Sequence, residues 1–292
     1  MNDIAKVSRE EHIAQAAITK MGRMLVDAGK ITEEHLKKVI AKQASGNLRF
    51  GEAAIVLGLV TEADISAVLA AQFAYTTPPD QHTRLDAKLS VVFNPDSTQA
   101  EAIRSLRSEL MLRHFNTASP HASLALIGAE NVDAIALTAS NLAAAFAQLG
   151  IRTLLIDSNL RNPRIHQYFG LSERNPGLSD LIAQRALVTP SAIPGLHSLW
   201  VLPAGTPAPN PQELIASKHY AEAITALGDN FDVVLIATHP LDSARDAQLV
   251  ATQAGAAVLV VHENESRFKD VEAICQRLKS LEVRIVGAAL YL

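Results

Sequence analysis

Residues 123–157 read SLALIGAENVDAIALTASNLAAAFAQLGIRTLLID. Ser123–Ile127 and Thr153–Ile156 are short, apolar and β-rich, and a helical pattern fills 135–149 between them. Two apolar strands joined through a helix form a unit in which the strands run parallel. Strands that are apolar throughout, rather than alternating, belong in a sheet covered on both faces. The same rhythm continues outward. Further strands are expected at Leu199–Leu202, Val233–Ile236, Ala257–Val261 and Val283–Val286, and further helices near 98–115, 211–227, 243–254 and 267–281. The predicted fold of 98–292 is therefore α/β, a doubly wound, mostly parallel sheet.

Upstream the period changes. Within residues 1–75, Leu36, Val39, Ile40 and Ile65, Val68, Leu69 recur at three- and four-residue spacing, which is the helical period. A small, mainly helical domain is expected there, followed by a linker at 76–97 rich in Pro, Asp and Thr. The first domain also repeats itself. Residues 20–43 (KMGRMLVDAGKITEEHLKKVIAKQ) and 49–72 (RFGEAAIVLGLVTEADISAVLAAQ) superimpose without a gap, placing Lys20 with Arg49, Gly22 with Gly51, Gly29 with Gly58 and Gln43 with Gln72. Each copy reads as a helix–turn–helix unit whose glycines permit the turn.

Composition excludes several classes. The chain has 292 residues, 48% hydrophobic and 19% charged, with a net charge of −4, so neither disorder nor a nucleic-acid polymer as partner is expected. No apolar run approaches the ~18 residues of a membrane span, and the opening MNDIAKVSREEH lacks the basic-then-apolar pattern of a secretory leader. A cytoplasmic chain is the expectation. Cys275 is the sole cysteine. The scattered His35, His114, His166, His219, His239 and His262 show no ligand spacing, so no metal site is expected. Glycine is scarce, 14 in all, against a usual ~7%.

The tandem repeat resembles the MshEN-type domain found at the N-terminus of type II secretion ATPases, which binds cyclic di-GMP. That resemblance makes Lys20, Gly22, Gly29, Gln43, Arg49, Gly51, Gly58 and Gln72 the candidate ligand residues. Lys20 stands where the pattern has Arg, and a lysine offers a point charge in place of a bidentate fork. Dinucleotide binding and protein docking both remain open for this domain.

The rest resembles the cytoplasmic kinase domain of bacterial tyrosine kinases, in particular the chain-length-determinant type of exopolysaccharide biosynthesis. The resemblance rests on Glu101-Ala-Ile-Arg104-Ser-Leu-Arg107, Asn141-Leu-Ala, Leu154-Leu-Ile-Asp157-Ser-Asn-Leu-Arg161-Asn-Pro-Arg164, Leu202-Pro-Ala-Gly205, Pro209-Asn-Pro-Gln-Glu213, Phe231-Asp-Val-Val-Leu-Ile and Asp246-Ala-Gln248. It implies a P-loop NTPase-like sheet, subunit contacts through Glu101, Arg104 and Arg107 in an oligomer, and a membrane-embedded chain-length determinant or other polysaccharide-assembly protein as partner. The chain would then meet the inner membrane peripherally, through that partner. The alternative for the Glu/Arg set is an intrahelical salt-bridge face.

Where the family has Gly-Glu-Gly-Lys/Arg-Ser, this chain reads Val132-Asp133-Ala134-Ile135-Ala136. A phosphate loop needs glycines for close backbone approach, a cation for the phosphates and a hydroxyl for Mg²⁺. Asp157 and Arg161 persist as remnants. The second acid of that motif is Asn159, and the acid expected after Val233–Ile236 is Ala237. Asp157 and Asp246 are read as structural charges paired with Arg161 or Arg164. The expectation is thus a non-catalytic regulator or scaffold (a pseudokinase) with no cofactor. The rivals are an active tyrosine autokinase, which would use ATP and Mg²⁺, and a MinD-like ATPase.

Overall fold

The computed structural model describes residues 22, 25–26, 29–46, 50–62, 64–65, 84–115, 122–241, 245–263 and 266–291. The chain divides into two units, Met1–Pro78 and Pro79–Leu292.

The first unit is helical over its described residues, with α1 at Glu33–Gly46 and α2 at Phe50–Val56. The repeat is visible in its turns. Gly29 and Gly58 adopt φ of +68° and +65°, a region glycine enters without penalty. Each closes its turn through matching bonds, Gly29 N–H to Val26 O and Gly58 N–H to Ile55 O. The next helical turns open alike. His35 N–H donates to Thr32 Oγ1, and Asp64 N–H to Thr61 Oγ1, as capping residues do. Gly22 and Gly51 lie under Leu36 and Ile65 respectively, again equivalent positions. Lys30, in the first copy, forms a 2.8 Å ion pair with Asp64 in the second. Lys30 and Thr61 hold the Asp64 carboxyl well below the usual range. Leu25, Ile31, Val39, Phe50, Ala53, Ala54 and Val60 make the core.

The second unit carries α3 (Ser90–Phe93), α4 (Thr98–Arg113), β1 (Ala122–Gly128), α5 (Val132–Ala147), β2 (Thr153–Asp157), α6 (Ile165–Tyr168), α7 (Leu178–Ile182), β3 (Ser191–Ile193), β4 (Leu196–Leu202), α8 (Pro211–Ile215), α9 (Lys218–Gly228), β5 (Val233–Ala237), α10 (Asp246–Ala254), β6 (Ala256–His262), α11 (Phe268–Ser280) and β7 (Arg284–Tyr291). The seven strands lie in the order β3-β4-β2-β5-β1-β6-β7. All neighbours are parallel except β3 and β4. Alternate residues of β1 face opposite cores. Leu124 and Leu126 belong to the same core as Leu137, Phe146 and Leu110, while Ala125 and Ile127 belong to the core that holds Ile224, Val250 and Leu278. That two-sided covering is why the strands are apolar throughout. Helix α5 is buried from Ala134 to Ala147, its small side chains letting it sit between the sheet and α4.

Three expectations need correction. Residues 84–97, read as the end of a linker, are part of this unit, and Leu89, Val91 and Val92 are buried. Asn141 holds them. Its Oδ1 accepts from Ser90 Oγ and Val91 N, and its Nδ2 donates to Lys88 O. The single helix expected over 211–227 is two helices, because Ser217 adopts extended backbone and caps a new start by accepting from Tyr220 N–H. The short antiparallel edge strand β3 was not anticipated; three residues carry too little pattern.

Candidate functional site

The C-terminal ends of β1, β2 and β5 bring together most of the residues singled out in the second unit. Register pairs Asp157 with Ala237 and Leu126 with Ala237. In open α/β sheets this edge is where ligands bind.

At the β1–α5 junction the chain enters helix immediately. Asn131 Oδ1 accepts from Ala134 N–H at 2.9 Å and Asn131 O from Ile135 N–H at 3.3 Å. Two first-turn amides are thereby engaged within the chain. Ile135 is 1% exposed, and Ala134 and Ala136 are buried. Ile135 presses on Gly128; a Cβ there would stand 2.9 Å from its Cγ1 and 3.1 Å from Val260 O. Asp133 points outward and its Oδ1 lies 3.1 Å from Arg164 Nε. Leu241 N–H closes on Gly128 O.

At the end of β2, the buried Asp157 carboxylate accepts from the backbone N–H of Asn159, Arg164 and Ile165, each at 3.1 Å. Burial outweighs these donors and pushes its pKa up to about 6. Asn159 closes the following loop on Asn162, donating from Nδ2 to Asn162 O and accepting Asn162 N–H on Oδ1. Arg161 reaches across to α10, with Nε 2.7 Å and Nη2 3.3 Å from the carboxylate oxygens of Asp246. Asp246 is 2% exposed. The structural pairing expected for Asp246 is therefore with Arg161, whereas Asp157 is held by backbone. At the end of β5, Ala237 is buried, and Thr238 Oγ1 donates to Leu126 O.

The Glu/Arg set lies apart from this edge. Arg104 pairs with Glu101 at 2.9 Å and donates to Pro95 O. Arg107 Nη1 donates to Ala145 O, at the far end of α5, roughly 18 Å along the helix from Asp133 at 1.5 Å per residue. Glu101 stays exposed. Of the candidate ligand residues in the first unit, Gly22, Gly29, Gln43, Gly51 and Gly58 are described, and Lys20, Arg49 and Gln72 lie outside the described residues.

Sequence reasoning missed a second loop system beside this edge. Asp180 Oδ2 accepts from Gly177 N–H and Thr206 N–H, both at 3.0 Å. Gly205, at φ +85°, lies so close that a Cβ would fall 2.5 Å from that oxygen and 2.6 Å from Gly177 N. This contact accounts for the glycine of Leu202-Pro-Ala-Gly205. With residues 160–167 the loop encloses a polar cavity of about 210 Å³. A larger, mostly aliphatic cavity of about 710 Å³ lies elsewhere, between α4 and β7. Buried Tyr220 shares a 3.0 Å hydrogen bond with Ser158, and burial raises its phenol pKa.

No protein-family model matches the chain. Curated relatives do. The putative tyrosine-protein kinase CapB of Staphylococcus aureus is 32% identical over 197 residues, 67% of this chain and 85% of that protein. The tyrosine-protein kinase wzc of Salmonella typhimurium is 32% identical over 70% of this chain, which spans only 28% of it. The putative tyrosine-protein kinase EpsB of Ralstonia solanacearum is 27% identical over 96% of this chain and 40% of its own length. Among solved structures, the kinase domain of the Escherichia coli tyrosine kinase ETK superimposes with TM-score 0.66 at 28% identity, covering 72% of this chain and 81% of that one. The chimerical protein CapA2B2 gives 0.64 at 28% identity, covering 76% and 96%. A Pyrococcus furiosus cell division ATPase, MinD, at 21% identity and TM-score 0.50 over 57% of this chain and 70% of that one, shares the fold. By the extent of its match to CapB, this chain belongs to the bacterial tyrosine-protein kinases.

Proposed function

We propose that this chain is a kinase-shaped regulator or scaffold of exopolysaccharide assembly that performs no phosphoryl transfer. The observation that carries the reading is Ile135, an apolar side chain buried against Gly128 at the position where the family resemblance calls for a phosphate-binding cation. Its neighbours agree. Ala136 and Ala237 offer no side-chain oxygen to Mg²⁺, Asn159 is engaged in its own loop, and the Ala134 amide donates to Asn131. ATP with Mg²⁺ does not fit these residues. Removing one oxyanion-stabilising donor costs ~10²–10³ in rate even in acyl transfer, and phosphoryl transfer rests almost wholly on such electrostatics, so the joint loss of cation and metal anchors leaves no mechanism. Incubation with Mg-ATP followed by phosphotyrosine detection tests this. No signal is expected on this chain, and incorporation would overturn the reading.

Two further parts belong to the proposal. The partner is a membrane-embedded chain-length determinant, with which the chain sits peripherally at the inner membrane, and the exposed Glu101 is open to contact with another subunit. The first unit senses a cyclic dinucleotide such as cyclic di-GMP or docks a protein partner; the equivalent turns at Gly29 and Gly58 support the duplicated unit on which both readings rest. Titration of the full chain with cyclic di-GMP is expected to saturate, and an absence of binding at high concentration would remove the sensor role.

A further inference from the structure

The polar cavity of about 210 Å³ beside the degenerate site is lined by Arg161, Arg164, His166, Ser172, Glu173 and Thr206, among others. Its volume corresponds to about seven waters at ~30 Å³ each and falls below the ~300–1,000 Å³ of pockets for drug-sized ligands. A nucleotide is too large for it, whereas a tetrahedral oxyanion with a short carrier fits.

The lining is rich in donors that the chain does not use. His166 is 8% exposed, so more than nine-tenths buried, and its ring makes no hydrogen bond among the described residues. Its ring nitrogens keep access to solvent, so a small ligand can reach them. Arg164 Nε lies 3.1 Å from Asp133 Oδ1, and no hydrogen bond engages its terminal nitrogens among the described residues. Arg161 sits at the same wall, anchored by its two bonds to Asp246. The opposing charge is limited. Glu173 is on the exposed rim, and Asp133 is turned to the Nε side of Arg164. A guanidinium fork and an imidazole N–H around one small cavity match an oxygen-rich anion.

We infer that this cavity is a binding site for a small oxyanion of the phosphate class, received by the terminal nitrogens of Arg164 and the ring of His166. The inference does not depend on the absence of phosphoryl transfer. It uses neither the phosphate-loop position nor a metal.

The test is inorganic phosphate added to the full chain, read by ³¹P line broadening and by melting temperature, against chloride at matched ionic strength. With a Kd on the order of 1 mM, phosphate at roughly thirty times that concentration gives a clear rise in melting temperature. Arg164→Gln is expected to raise Kd about tenfold or more, and His166→Asn several-fold, each relative to its own melt without phosphate. Methyl phosphate is expected to bind as inorganic phosphate does, because the cavity has room beyond the oxyanion. No rise beyond chloride, or an equal rise in both variants and the unaltered chain, would overturn the inference. Since no nucleotide or Mg²⁺ is present, neither result depends on the outcome of the phosphotyrosine assay.

Discussion

Ile135 lies against Gly128 with no room for a methyl group between them, the gap to a built Cβ being 2.9 Å. At the position where the family resemblance calls for a cation, the side chain is part of the packing under β1. Gly128→Ala is expected to destabilise the second unit by about 1–3 kcal/mol, measured by chemical denaturation. Ile135→Val should recover only a small part of that loss in the double variant, because it removes Cδ1 at 3.0 Å and keeps the carbon at the Cγ1 position.

Ile135→Lys tests the same point from the other side. A lysine at a position 1% exposed has no partner, and an unpaired buried charge costs about 3–5 kcal/mol. The variant is expected to lose stability and to gain no response to Mg-ATP. A stable variant that binds nucleotide would show that the junction still shapes itself as a phosphate cradle.

Asp157 gives a pH signature. Its carboxyl titrates near 3.8, the ordinary value for an aspartate, when unfolded and at about 6 when folded, so the folded chain keeps a proton that the unfolded chain has released. Stability from this group is full below pH ~3.8 and lost as pH rises to ~6, a change of about 3 kcal/mol. Urea titrations between pH 4 and 7 should show this fall, and Asp157→Asn should remove it. A carboxylate whose contribution instead increased with pH would contradict the dominance of burial.

Arg161 is expected to act on stability. Arg161→Ala leaves the buried Asp246 without its half-exposed guanidinium partner and should cost about 1–3 kcal/mol, between the values for exposed and buried pairs. A double-mutant cycle with Asp246→Ala should show strong coupling. Additive effects would mean that the pair does not interact in solution.

If the first unit binds cyclic di-GMP, Arg49→Ala should weaken binding more than Lys20→Ala, because a guanidinium can form paired bonds that an ammonium cannot. Equilibrium titration of both variants checks the order, and the reverse order would contradict the assignment of the stronger half-site.

Much of this architecture was legible because β1, β2, β5 and β6 are largely apolar runs of sheet length. Repeat spacing likewise announced the equivalent glycine turns at Gly29 and Gly58. Other features carry no local signal. Residues 88–91 looked like linker because Pro and Asp surround them, yet their packing is set by Asn141, about fifty residues downstream. For the candidate site, the sequence offered an expectation only, a set of replaced groups at Val132–Ala136, Asn159 and Ala237. What took their place was not, since the Arg161–Asp246 pair spans 85 residues and the Gly177–Gly205 contact joins two loops. Arg104 and Arg107 illustrate the same limit: spacing put them on one helical face, and only packing revealed their bonds to Pro95 O and Ala145 O.

The central claim is most directly tested by the melting temperature of the full chain with and without Mg-ATP and Mg-ADP. A nucleotide at about 100 times its Kd would add ~2.7 kcal/mol to the folded state. An unchanged melting temperature is the predicted result, and a clear rise with either nucleotide would contradict it.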